Sequence, residues 1–162
     1  MKTSNSPNQE LFEMHHPNDE ESSASIKSSS YVNEAPFAAK VRPYNLQTFF
    51  GQEHLLGEQL PLRLAIDSGE IHSMIFWGPP GVGKTTLARI ATKEAKASLV
   101  ELSAVMAGMA DIRRAIECGR NNAEIGKKTL VFVDEVHRFN KSQQDSFLPY
   151  IEDGTIIFIG AT

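Results

Sequence analysis

Gly78-Pro79-Pro80-Gly81-Val82-Gly83-Lys84-Thr85 is the stretch on which the fold of this chain turns. It fits the pattern G-x-x-x-x-G-K-[ST] at every fixed position. Before it stands the apolar run Met74-Ile75-Phe76-Trp77, bounded by glycine and proline as a short strand would be. After it, residues 84–96 set Leu87, Ile90 and Ala91 on one helical face. Strand, glycine-rich turn and helix in that order make an anion cradle. The glycines at 78 and 83 are expected to take backbone angles closed to other residues and to let the chain approach phosphates closely. Successive N–H groups point inward, and the helix adds its positive end. Lys84 offers a point charge to the β and γ phosphates, and the Thr85 hydroxyl a ligand for Mg²⁺. ATP with Mg²⁺ is therefore the expected ligand, held by Gly78, Pro79, Pro80, Gly81, Val82, Gly83, Lys84, Thr85 and Thr86.

A second motif supports the first. Leu130-Val131-Phe132-Val133 is a continuous apolar run followed at once by Asp134 and Glu135. Such runs suit strands covered on both faces, as in parallel sheets. A strand of this kind delivers its acids to the C-terminal edge of the sheet, where ligands of open α/β sheets sit. Asp134 is placed to hold Mg²⁺, and Glu135 to orient and polarise an attacking water as general base. The acid pair points to a hydrolase rather than a phosphotransferase, since no second substrate pocket is legible.

Between and around these motifs the periodicity alternates. Residues 58–68 place Leu62, Ala65 and Ile66 at helical spacing, with Gly69 as a stop. Ser98–Leu102 reads as a strand, and residues 110–122 as a helix with Ile112, Ala115, Ile116 and Gly119 on one face. Ser142 is expected to start a short helix carrying Phe147, Leu148 and Ile151, with Asp145 at the capping-box position. Ile156–Ile159 closes the series as a strand. Alternation of this kind predicts an α/β fold, a P-loop NTPase with a doubly wound parallel sheet.

Composition agrees. Of 162 residues, 41% are hydrophobic and 22% charged, with no apolar run long enough to span a membrane. Cys118 is the one cysteine, so no internal disulfide forms; its setting, Ile-Glu-Cys-Gly-Arg, predicts a buried small apolar residue. The net charge of −4 is uneven. Residues 1–35 hold six acids against two bases, leaving fourteen of each sign in 36–162. With eight serines and few large apolar residues, 1–35 is expected to be a disordered acidic tail, and His15-His16 within it a solvated pair. The neutral remainder gives no electrostatic footprint for DNA.

The Gly-Pro-Pro-Gly loop and the Asp134-Glu135 pair resemble those of AAA+ ATPases. Residues 72–81, and Asp134-Glu135-Val136-His137-Arg138-Phe139-Asn140-Lys141-Ser142-Gln143-Gln144-Asp145, resemble the bacterial replication-associated recombination protein A family. Val41-Arg42-Pro43, residues 50–57 and residues 152–162 fit the same family, so the resemblance covers about 36–162 and not the tail. It implies that Arg42-Pro43 through Gln52 line the adenine side of the site, with Gln52 in contact with the nucleotide. It also implies that Thr162 falls at the position sensing the γ-phosphate, catalytic alongside Glu135 and Lys84. His137 and Arg138 are expected as surface or subunit-contact residues at a helix start. In the tail, Gln9-Glu10-Leu11-Phe12 is similar to sliding-clamp docking peptides but one residue short of their spacing; the plainer reading is an isolated apolar pair.

The resemblance further implies an AAA+ core at 36–162 that stops before a fifth strand, a helical lid and an arginine finger. It implies a homo-oligomer in which a neighbour's arginine completes each site. The implied function is ATP hydrolysis in replication-fork maintenance, recombination and repair, in the cytoplasm and on the nucleoid. DNA, and replication proteins such as single-strand-binding protein or the sliding clamp, are the implied partners. A clamp-loader subunit or a Holliday-junction branch-migration ATPase is the alternative enzyme. A nucleotide-dependent recruitment module without turnover is the alternative of another kind.

Overall fold

The computed structural model describes residues 41–162. The expectations placed on residues 1–35, including the clamp-like peptide and His15-His16, lie outside them. In chain order the elements are helices α1 (Glu53–Leu56) and α2 (Pro61–Ser68), strand β1 (Met74–Phe76), α3 (Lys84–Glu94) and β2 (Ser98–Ser103). Then come α4 (Met109–Glu124), β3 (Thr129–Asp134), α5 (Lys141–Asp145), α6 (Leu148–Glu152) and β4 (Ile157–Ala161). The four strands form one parallel sheet in the order β1-β4-β3-β2.

The strand before the acid pair is central because both its faces are apolar. Leu130 and Phe132 pack with Ile159 and Ala161 of β4 against Ile66 of α2 and Leu87, Ile90 and Ala91 of α3. Val131, Val133 and Phe158 face the other way, onto Ile112, Ala115 and Ile116 of α4 and onto Phe139 and Phe147. Helices therefore cover both faces, as the alternation predicts, and each fully buried Leu, Ile or Phe contributes about 1.5–3 kcal/mol. The side-chain faces expected for α2, α3 and α4 are the faces buried. Cys118 departs from expectation: it is half-buried, and Asn122 Nδ2 lies 3.5 Å from its Sγ and 2.8 Å from Thr129 Oγ1.

One helix starts elsewhere than expected. Asn140, not Ser142, caps α5: its side chain accepts from Gln143 N at 2.9 Å, while Gln143 Oε1 accepts from Asn140 N at 3.0 Å. Gln143 thus holds the capping-box position expected for Asp145, which ends the helix. The amide pair wins because it lies three residues apart at the turn, whereas Ser142 is already inside it. The chain then breaks before Pro149, which sits in the first turn of α6.

Gly119 lets α4 lie close to the sheet. A Cβ there would come 2.5 Å from Ile156 Cγ2 and 3.3 Å from the Thr155 carbonyl oxygen. Gly119→Ala is expected to destabilise the fold by about 1–3 kcal/mol through overpacking. Thermal unfolding followed by circular dichroism should show a midpoint several degrees lower; an unchanged midpoint would mean that α4 shifts freely.

Candidate functional site

The sheet register brings the two motifs together. β1 runs into the loop at 78–83, and β4, its only neighbour among the described residues, separates it from β3 and the acid pair. Thr162 stitches β4 to the loop: its N donates to Phe76 O at 3.0 Å, and its carbonyl oxygen accepts from Gly78 N at 3.1 Å. Ser103, ending β2, pairs in register with Asp134, so strand ends converge on one edge.

Within the loop the glycines divide their tasks. Gly83 caps α3 in the left-handed region at φ 95°, and a Cβ there would strike the Phe49 ring at 2.7 Å. Gly81 is also left-handed, at φ 83°. Gly78 is not in the left-handed region, contrary to expectation. A Cβ there would meet only Val82 Cγ2, at 3.6 Å, so its value lies in leaving the cradle open. Lys84 folds back over the loop, its Nζ donating to the Gly78 carbonyl at 2.7 Å and the Pro79 carbonyl at 3.0 Å. Thr85 and Thr86 occupy the first turn of α3, beside those inward N–H groups.

Asp134 Oδ1 accepts from Glu135 N at 3.0 Å, which fixes the carboxylate at the strand end. Glu135 itself is left-handed, at φ 54° and ψ 42°. For a residue with a Cβ this costs about 1–2 kcal/mol, so the surroundings hold it there. Its side chain meets His137: Nε2 lies 3.2 Å from Glu135 Oε2, and Nδ1 lies 2.7 Å from Thr162 Oγ1. His137 is exposed, as expected, and also joins Glu135 to Thr162.

An apolar cavity of about 500 Å³ opens beside the loop, between Phe49, Gln52, Leu55, Leu62, Trp77 and Val82. Gln52 lines it in a left-handed conformation, φ 61°, capping α1. Arg42 and Pro43, expected to share that task, are not among its walls. Arg42 instead lies in the field of Glu101 on β2, and Lys93 of α3 sits over the Tyr44 ring. The Arg89 guanidinium grips Glu101 at both oxygens, 2.5 and 2.8 Å, and holds that carboxyl below the usual carboxylate range. That bidentate pair ties α3 to β2. Phe49, within the stretch from Arg42 to Gln52 expected on the adenine side, is one of the cavity's walls. A larger hollow of about 630 Å³, at the other end of the strands, is lined by Glu70, Ser73, Lys127, Lys128 and Thr155 and holds none of the motif residues.

The chemistry of the donors suits a hard cation. Among the described residues no three His, Cys, Asp or Glu side chains cluster as an all-protein metal cage. Mg²⁺ in phosphate sites is held by one or two protein oxygens plus phosphates and waters, which the Thr85 hydroxyl and Asp134 carboxylate match.

Comparison with known proteins follows the same lines. The family described as "ATPase family associated with various cellular activities (AAA)" matches residues 74–162. Replication-associated recombination protein A of Haemophilus influenzae is 61% identical over 127 residues, 78% of this chain and 28% of that protein. Its Escherichia coli counterpart is 59% identical over the same shares. ATPase WRNIP1 of Dictyostelium discoideum is 48% identical over 128 residues, 79% of this chain and 15% of that protein. Among solved structures, the Thermotoga maritima RuvB Holliday junction branch migration motor matches with a TM-score of 0.62 at 28% identity, covering 75% of this chain and 42% of that one. The chain thus spans little more than a quarter of the bacterial recombination proteins that it matches, 28% of each. No helix among the described residues is long and apolar enough to cross a membrane.

Proposed function

The chain belongs to the AAA family of ATPases, alongside replication-associated recombination protein A, and on that premise we propose that it is the nucleotide-binding core of an ATPase of replication-fork maintenance, recombination and repair. The observation that carries the proposal is the convergence of Lys84, at a glycine-capped helix start, with Asp134, Glu135 and Thr162 on one sheet edge. Residues 36–162 form the proposed ATPase core and 1–35 a separate tail.

In this reading the N–H groups of 81–86 and the positive end of α3 hold the phosphates. Lys84 exchanges its two carbonyl acceptors for β and γ phosphate oxygens. The adenine ring enters the apolar cavity, against Phe49 and Gln52. Thr85 and Asp134 would hold Mg²⁺, which when bound neutralises phosphate charge. Glu135 takes the proton of the attacking water, and Thr162 presents its hydroxyl to the γ-phosphate. DNA recognition and a homo-oligomeric assembly are carried over from the recombination proteins, since the balanced charge of 36–162 offers no basic footprint of its own. The RuvB likeness supports branch migration as a second reading. DNA ends or gapped DNA stimulating turnover more than a four-way junction would favour the first; the reverse order would favour the second. A recruitment module would bind ATP with no turnover under any of these.

Lys84→Ala tests the site directly. Loss of a charged hydrogen bond to phosphate costs about 1.5–3 kcal/mol, or roughly 10- to 150-fold in the dissociation constant of a fluorescent ATP analogue. Equal affinity in the two proteins would remove the loop from nucleotide binding.

A further inference from the structure

We infer that His137 is a positioning residue that couples the hydroxyl of Thr162 to the carboxylate of Glu135. The inference rests on the proposed role of Glu135 as the base.

The geometry is built by the chain's exit from β3. After Asp134 the backbone turns left-handed at Glu135 and makes one 3₁₀ turn, Val136–Arg138. That turn is closed by Arg138 N to Glu135 O at 2.8 Å and Phe139 N to Val136 O at 3.1 Å. Phe139 is buried below it and stacks on Phe147, so the turn is anchored in the core. The imidazole is thereby set against the Glu135 side chain and against Thr162, the residue that follows the neighbouring strand. One ring spans the ends of β3 and β4, beside the residue that also bonds the first amide of the phosphate loop.

For a neutral ring, proton accounting gives the direction of each bond. A carboxylate only accepts, so Nε2 carries hydrogen and donates to Glu135. In the neutral ring Nδ1 is then an acceptor, and the Thr162 hydroxyl spends its one proton on it. A γ-phosphate oxygen that accepts the hydroxyl's hydrogen bond instead removes the donor from Nδ1. Occupancy at the phosphate is thus felt at the imidazole, and through Nε2 at the base. Stability does not explain the arrangement: Glu135 and His137 are each about half exposed, at 45% and 50%, where ion pairs contribute about 0–1 kcal/mol. Nor is the left-handed Glu135 favoured locally. The bond to His137 orients the carboxylate, and orientation errors of about 1 Å at a reacting group cost on the order of 100-fold.

The experiment uses the 162-residue chain labelled with ¹⁵N-histidine, kept below the concentration at which it scatters light. The His137 ring should carry a hydrogen on Nε2, facing Glu135. Its Nδ1 signal should move on Thr162→Val and with ATPγS, but not with ADP. In single-turnover hydrolysis, His137→Ala should lower the rate about 10- to 100-fold while the affinity for a fluorescent ATP analogue stays within about twofold. His137→Gln, whose amide nitrogen can replace Nε2 as donor, should recover most of the loss. Ring signals indifferent to Thr162→Val and to ATPγS would overturn the coupling, and they decide the question even where hydrolysis is too slow to follow. A turnover rate unchanged or raised by His137→Ala would overturn the positioning role. Glu135→Gln serves as the control: if it too hydrolyses normally, the assignment of the base has failed, and the inference with it.

Discussion

Glu135→Gln is expected to keep ATP binding and to lower turnover by about 10²–10⁴-fold, the usual cost of losing a general base. The amide preserves the shape of the side chain and its ability to accept from His137 Nε2, 3.2 Å away from the native carboxylate. It cannot take a proton from water. Binding should survive because the phosphate contacts lie in residues 78–86 and the apolar contacts in the cavity beside them, neither of which includes Glu135. The measurement is steady-state phosphate release from an assembled form that turns over ATP, with analogue titration in parallel. Turnover at the native rate would move the catalytic role away from Glu135. Joint loss of binding and turnover would mean that the left-handed turn at φ 54° had collapsed, since Asp134 Oδ1 is pinned by the same residue's N–H.

Where sequence and structure agree, the reason is short range. The loop at 78–85 is legible because each fixed residue answers a local demand: a glycine at φ 95°, a charge at a helix start, a hydroxyl in its first turn. The burial of Leu130–Val133 is legible because only a strand covered on both faces tolerates an uninterrupted apolar run. What escaped the sequence depends on distance. Phe49 matters because its ring occupies the space that a Cβ at Gly83 would need, a contact spanning 34 positions that no periodicity announces. His137 touches Thr162 across 25 residues, and its role follows from parallel pairing of β3 with β4. The cap of α5 failed for a local reason. Asn140 and Gln143 form an amide capping box, and a serine two positions later had drawn the expected start into the helix.

Purified as these 162 residues, the chain is expected to scatter light in proportion to its concentration and to hydrolyse ATP near background. β1 has a strand partner on one side only among the described residues, and no described strand pairs with its other edge. The strand is apolar on both faces. Met74, Phe76, the 55%-exposed Ile75 and the 87%-exposed Trp77 border the 500 Å³ cavity, and Ile75 also borders another of about 370 Å³ with Val136, Phe139 and Phe147. An exposed apolar edge of this kind templates association with further chains. Ile75→Lys places a charge on that edge and should reduce scattering at equal concentration. Weak turnover has a separate cause. The family resemblance implies a guanidinium from a neighbouring subunit, which a monomer cannot supply and which is worth about 10³–10⁵-fold in related NTPases. Strand-to-strand aggregates would not supply it either, because edge pairing need not bring a second chain to the Glu135 end of the site. Light scattering across a dilution series, read beside phosphate release, separates the two effects. A monodisperse chain turning over ATP at about 1 per second or faster, within the usual enzyme range, would show that the β1 edge is covered and the site complete within one copy.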